Sequence, residues 1–298
     1  MAVNLEHKDW QGTTDGTKWM LETLIRLYKK LPLRALYILM ATWIPFYVIF
    51  GVRGTSASYR FARKRLGKNI ISSVLYVFAN EYKFGQIILD RFAMYAGKRF
   101  DIKAKDIAVF RELSEGEKGF MMLGSHTGNY ELAGYTFPEK NKTIYAVIFS
   151  GEKETVMKGR ESRFSHTNIR MVPMKEDMSH IFELNAQLAE GNIVSMPGDR
   201  VFGSTKSLTC TFFGQPARFP AGPFALCVGR NLPAVMIFVM KTGLRTYETY
   251  IERIDPPAEG TKAEKMQKMA DAYAKGLEDA VRKHPLQWFN FYDFWKMQ

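Results

Sequence analysis

From Asp101 onward the chain alternates between short apolar runs and longer stretches with helical spacing. The runs are "FMMLGSH" from Phe120, "TIYAVIFS" from Thr143, "IRMVPM" from Ile169, "NIVSMPGD" from Asn192 and "PAVMIFVMK" from Pro233. Each is too short for a helix and rich in β-formers, so each reads as a buried strand. Between them, Asn129 to Phe137, Glu152 to Phe164, Asp177 to Glu190 and Pro220 to Arg230 read as helices. Strand, helix, strand at this spacing requires right-handed crossovers, which predicts an α/β fold with a central, largely parallel sheet flanked by helices. "RTYETYIERI", Arg245 to Ile254, alternates polar and apolar residues and suits an edge strand. "FFGQPARFPAG" mixes Gly214 and Gly222 with Pro216 and Pro220 and reads as an irregular loop. A final helix is expected from Lys262 to His284, with Met266, Met269, Ala270, Tyr273, Leu277 and Val281 as its apolar stripe.

The first hundred residues have a different texture, helical throughout, so residues 1–100 are expected to form a helical region and 101–298 an α/β domain. Ala35 to Val52, "ALYILMATWIPFYVIFGV", runs eighteen residues without a charge and meets the lower length for a membrane-spanning helix. A polar lead of more than thirty residues and no small-residue cleavage site argue against a signal peptide. Arg26, Lys29, Lys30 and Arg34 precede the run, and Arg53, Arg60, Arg63, Lys64, Arg65 and Lys68 follow it. Such symmetry favours a helical hairpin or an interfacial helix on an anionic leaflet, although a span and, given Pro45, an ordinary buried helix remain open. The net charge of +12 calls for an acidic partner: an anionic membrane or an acidic carrier protein. Nucleic acid is excluded as the partner, because the basic residues cluster beside the apolar run and no RNP, KH, zinc-finger or helix-turn-helix pattern occurs. Cys210 and Cys227 stand apart in apolar settings, which fits a reducing compartment and no zinc site.

"LGSHTGNYELAG", Leu123 to Gly134, carries the chemistry. On one continuous helix, five residues turn through about 500°, so His126 and Glu131 would face apart. With "FMML" as a strand, His126 instead falls beyond the carboxyl end of that strand, where reactive groups of α/β sheets gather. Gly128 permits a tight turn and Asn129 is a good N-cap for a helix starting at Tyr130. Glu131 then lies in the first helical turn and can lean back to orient the imidazole, a base-and-orienter pair with no serine elbow beside it.

H-x4-D/E after a strand is the signature of the glycerolipid and lysophospholipid acyltransferase superfamily, and "GSHTGNYELAG" resembles in particular the bacterial lipid A late acyltransferases. "GRESR" at Gly159 to Arg163, "MPGDRVFG" from Met196, "FFGQPARFPAGPFALCVGRNLPAV" and the ending "HPLQWFNFYDFW" are similar to further segments of that family. The resemblance implies a membrane-associated acyltransferase on the cytoplasmic face of a bacterial inner membrane. It would move a fatty acyl group from acyl carrier protein or coenzyme A to a lipid or glycolipid hydroxyl without metal or organic cofactor. His126 and Glu131 would be catalytic. Asn129, Arg160, Arg163, Asp199, Arg200 and Phe213 would contact substrate, with Arg200 on a phosphate and Asp199 holding its loop; a structural ion pair is the alternative for those two. Phe212, Phe213 and Phe219 would line an acyl tunnel or simply fill the core. "GDR" replaces the family's commoner two-aspartate pattern and "FYDFW" lacks its basic tail, which leaves aryl-polyene, flexirubin or aminolipid synthesis as alternative settings. A reading of another class is a non-catalytic protein that binds anionic membranes.

Overall fold

The computed structural model describes residues 23, 26, 28, 30–50, 52–132, 142–148, 168–175, 177, 179–201 and 206–296. The chain divides into two compact units, one of Met1–Lys98, Phe149–Arg163 and Asn290–Asp293, the other of Arg99–Ile148, Phe164–Phe289 and Phe294–Gln298.

Three helices make up the described part of the first unit: α1 (Leu33–Phe50), α2 (Val52–Lys64) and α3 (Ile70–Tyr95). Asn69 caps α3, its side chain accepting the Ser72 N–H at 2.8 Å. α1 meets α3 through the buried Tyr37 hydroxyl, which donates to the Asp90 carboxylate. α2 meets α3 where Phe61 packs on Tyr76 and the Ser58 hydroxyl donates to Asn80 at 3.3 Å. Phe291 packs edge-on against Phe84 at 5.1 Å, and Arg60 pairs with Asp293 at 3.5 Å, tying residues 290–293 to this unit. The far side of α1 has no such cover: Ile38, Leu39, Trp43, Phe46, Tyr47, Ile49 and Phe50 are all at least half exposed.

The second unit is a seven-stranded sheet in the order β1 (Asp101–Ala104), β9 (Thr246–Ile254), β8 (Ala234–Lys241), β2 (Phe120–Gly124), β5 (Ile193–Pro197), β3 (Ile144–Ile148), β4 (Ile169–Pro173). Every neighbouring pair is parallel except β8 with β9. β8 is buried at all eight positions, as expected for a strand covered on both faces, and it reads as the continuous apolar run "AVMIFVMK". Among the described residues the α-helices of this unit are α4 (Ile107–Glu115), α5 (His180–Ala189), α6 (Gly222–Arg230) and α7 (Lys262–Lys283). A capping box starts α7, in which the Glu264 N–H donates to the Thr261 hydroxyl and the Thr261 N–H to the Glu264 carboxylate. Its stripe of Met269, Ala270, Tyr273, Leu277 and Val281 is buried.

Three expectations need correction. β9 is not an edge strand, because the four-residue β1 pairs with its outer side from Asp101↔Thr246 to Ala104↔Thr249. "FFGQPARFP" is not an irregular loop: β6 (Ser207–Phe212) and β7 (Gln215–Pro220) form a hairpin. Its two-residue turn has φ of 51° at Phe213 and 71° at Gly214, the left-handed pair that a tight hairpin prefers. Pro216 and Pro220 are tolerated because the hairpin is only two strands wide, so their missing N–H groups can face outward. Finally, Asn129 does not open an α-helix: Tyr130–Leu132 form a single 3-10 turn, with the Leu132 N–H on the Asn129 carbonyl at 3.0 Å. The remainder of that expected helix, the expected helix from Glu152, and Arg160 and Arg163 lie outside the described residues.

Candidate active site

Strand register brings the site together. Gly124, the last residue of β2, pairs with Pro197, the last of β5, and the ladder runs one step further, since the Gly198 N–H donates to the Gly124 carbonyl at 2.9 Å. His126 and Asp199 each lie two residues past a paired strand end, so they emerge side by side on the carboxyl rim of the sheet. The Asp199 carboxylate meets His126 twice. Its Oδ2 accepts the His126 backbone N–H at 2.8 Å, and Nδ1 of the ring lies 2.9 Å from Oδ1 and 3.2 Å from Oδ2.

A carboxylate can only accept, so the neutral imidazole carries its proton on Nδ1 and presents the Nε2 lone pair. Asp199 is 1% exposed and the His126 side chain 22%. The buried member therefore holds the ring, and the ring keeps an accessible edge. Burial alone would push the Asp199 carboxyl up. The His126 ring, the Arg200 guanidinium and the His126 N–H outweigh that and hold it below the usual carboxylate range. Asp199 thus stays charged, with its partners built in.

The rest of the loop is fixed as firmly. Gly128 adopts φ of 52°, and a Cβ there would lie 2.1 Å from the Val239 carbonyl. That closeness lets the Asn129 N–H donate to Val239 at 2.8 Å, joining the loop to β8. At Gly198 a Cβ would lie 2.7 Å from the Tyr273 ring. Tyr273, wholly buried on α7, passes close over the turn and donates its hydroxyl to the Gly124 carbonyl at 2.6 Å. Ser125 is buried and shares a 2.7 Å hydrogen bond with Thr127. Tyr130 sets its ring edge-on to His126 at 5.9 Å.

The expected site residues divide. Asp199, expected to hold its loop, accepts the His126 backbone N–H and also grips Nδ1 of the ring, an orienting contact of the kind expected for Glu131. Glu131 is 8% exposed, a buried carboxylate on the 3-10 turn. Asn129 is fully buried, and its backbone serves the loop. Arg200 donates from Nη2 to the Phe289 carbonyl at 2.9 Å, which ties the Asp199 rim to the C-terminal segment. Phe213 lies buried at the hairpin turn, under the Arg282 guanidinium at 4.5 Å and against Trp295. Tyr273, which the sequence pattern marks only as core, is an unexpected member of the site through its bond to the Gly124 carbonyl. Among the described residues, no three His, Cys, Asp or Glu side chains are grouped as metal ligands would be.

A largely parallel α/β sheet thus carries an aspartate-held histidine on its carboxyl rim. Residues 92–297 match the family model described as bacterial lipid A biosynthesis acyltransferase, and the chain belongs to that family. It is a lipid A-type acyltransferase. No curated protein matches the chain.

Proposed function

We propose that the protein transfers a fatty acyl group from an acyl thioester, on acyl carrier protein or coenzyme A, to a lipid or glycolipid hydroxyl at a membrane surface. The observation that carries the chemistry is the double contact of Asp199 with His126. It fixes the imidazole tautomer and stabilises the imidazolium that forms when Nε2 takes a proton.

In the reaction, Nε2 removes the acceptor hydroxyl proton as the oxygen attacks the thioester carbonyl carbon. The resulting oxyanion collapses, the C–S bond breaks, and the leaving thiolate takes the proton from the imidazolium. The products are an ester and a free thiol, so no acyl-enzyme forms. Arg200 supplies positive charge beside the reacting groups, and Glu131 is the second, buried carboxylate of the loop.

Support for the membrane comes from α1, the one helix among the described residues long and apolar enough to cross a bilayer; only 17% of it is buried. A helix of a soluble core would be covered, whereas this one exposes Trp43, Phe46 and Tyr47 together. Arg34 in its first turn and Arg60, Arg63 and Lys64 after it suit an anionic leaflet, and a cytosolic donor fits a site on the cytoplasmic face of the inner membrane.

The test is direct. Full-length protein is given a labelled acyl thioester with and without a bacterial lipid extract. Free thiol and labelled lipid should appear together, only with the extract. Release no faster than that of His126→Ala would overturn the reading.

A further inference from the structure

The segment after α7 is bonded to the histidine loop through Gln287, Trp288 and Phe289. Pro285–Gln287 form a 3-10 turn, and Trp288 bridges antiparallel to Thr127. On one side of that bridge the Gly128 N–H donates to the Gln287 carbonyl at 2.8 Å. On the other, the Phe289 N–H donates to the His126 carbonyl at 2.9 Å. The backbone of His126 is therefore held at both ends, its N–H by Asp199 and its C=O by Phe289.

Besides the Arg200 bond to Phe289, the Gln287 side chain anchors this strap. The buried Gln287 amide pairs with both main-chain groups of Lys241, the last residue of β8: Oε1 accepts the Lys241 N–H at 2.8 Å and Nε2 donates to the Lys241 carbonyl at 2.9 Å. The amide thus extends the sheet edge as a strand would, and only a group with donor and acceptor side by side can do so. Val239, two residues earlier on β8, accepts the Asn129 N–H, so strap and loop hang from the same strand end.

We propose that Gln287 is a positioning residue for the acyl transfer, setting the placement of His126 through the strap without touching substrate. This rests on His126 being the base. Misplacement by about 1 Å at a reacting group costs on the order of 10²-fold in rate. Gln287→Ala should therefore lower kcat by roughly one to two orders of magnitude and leave KM nearly unchanged.

Gln287→Glu gives the sharper readout and keeps the shape of the side chain. Its ionised carboxylate cannot donate to the Lys241 carbonyl, but its protonated form can donate and accept as the amide does. Burial raises the pKa of such a carboxyl, so the protonated form is reached in an accessible range. The ratio of variant to wild-type kcat should rise as pH falls from about 8 to about 6, with wild-type measured alongside to remove the titration of His126 itself.

The experiment measures kcat, KM and thermal unfolding of full-length wild-type, Gln287→Ala, Gln287→Glu and His126→Ala across that range. A pH-dependent rescue of Gln287→Glu with unchanged KM is the expected result. A flat ratio, or a loss in Gln287→Ala that lies wholly in KM, would overturn the positioning role. Near-normal activity in His126→Ala would instead overturn the base on which it rests. If Gln287→Ala does not fold, the pH ratio of Gln287→Glu decides alone.

Discussion

At the scale of residues, the central event is that a buried aspartate from one strand end holds a mostly buried histidine with one accessible edge from the next. Asp199→Asn should lower acyl transfer by about 10²–10⁴, because an amide at Nδ1 no longer fixes the productive tautomer or balances the imidazolium. Glu131→Gln should lose less, since Nδ1 is held by Asp199; parallel initial rates of the two variants check this. Ser125→Ala should keep most activity, as its hydroxyl serves only Thr127 and no acyl-serine is formed. The sequence made His126 legible through its place after an apolar run, and the rim position of Asp199 through "MPGD". Their contact was not legible, because it depends on β2 and β5 being neighbours in register, and nothing within either strand encodes its neighbour. The sequence points to Glu131 as the orienter because it lies close by; in the structure a carboxylate seventy-three positions away is the one on Nδ1.

At the scale of elements, β2, β5 and β8 are readable because burial on both faces demands nearly unbroken apolar runs. β1 is hard to read, since "DIKA" is only four residues long and largely exposed at the sheet edge. The β6–β7 hairpin is hard to read because its turn is Phe-Gly and its second strand holds two prolines, both of which normally mark loops. The close approach at Gly198 makes that turn sensitive: Gly198→Ala would press a methyl into the Tyr273 ring and should destabilise the fold by about 1–3 kcal/mol, measured by denaturant unfolding. On α3, burial pushes the Glu81 carboxyl up to about 7. A raised folded pKa means the native helix favours the neutral acid. Its contribution is fully present below the unfolded carboxyl range and is lost as pH rises through about 7. Glu81→Gln removes that loss, so it should raise the thermal midpoint more at pH 8 than at pH 5; an equal shift at both would contradict the assignment.

At the scale of the molecule, the chain joins a helical unit with an uncovered apolar helix to an α/β unit that carries the chemistry. If α1 is the membrane element, the intact protein should stay with membranes in about 1 M salt, where the Debye length is near 3 Å and charge attraction is screened, and leave only in detergent. Deletion of residues 1–55 should move it to the soluble fraction, as followed by sedimentation. Recovery of the intact protein in a detergent-free soluble lysate would contradict this. The proposed chemistry requires His126 and Asp199 to act as a unit, and a double-mutant cycle on full-length protein tests that most directly. Initial rates of acyl transfer are measured for His126→Ala, Asp199→Asn and the double variant. Each single change should cost about 10²–10⁴, and the double should be little worse than the worse single one, because a base without its holder and a holder without its base fail in the same step. Losses that multiply in the double variant, or near-normal transfer by His126→Ala, would contradict the account.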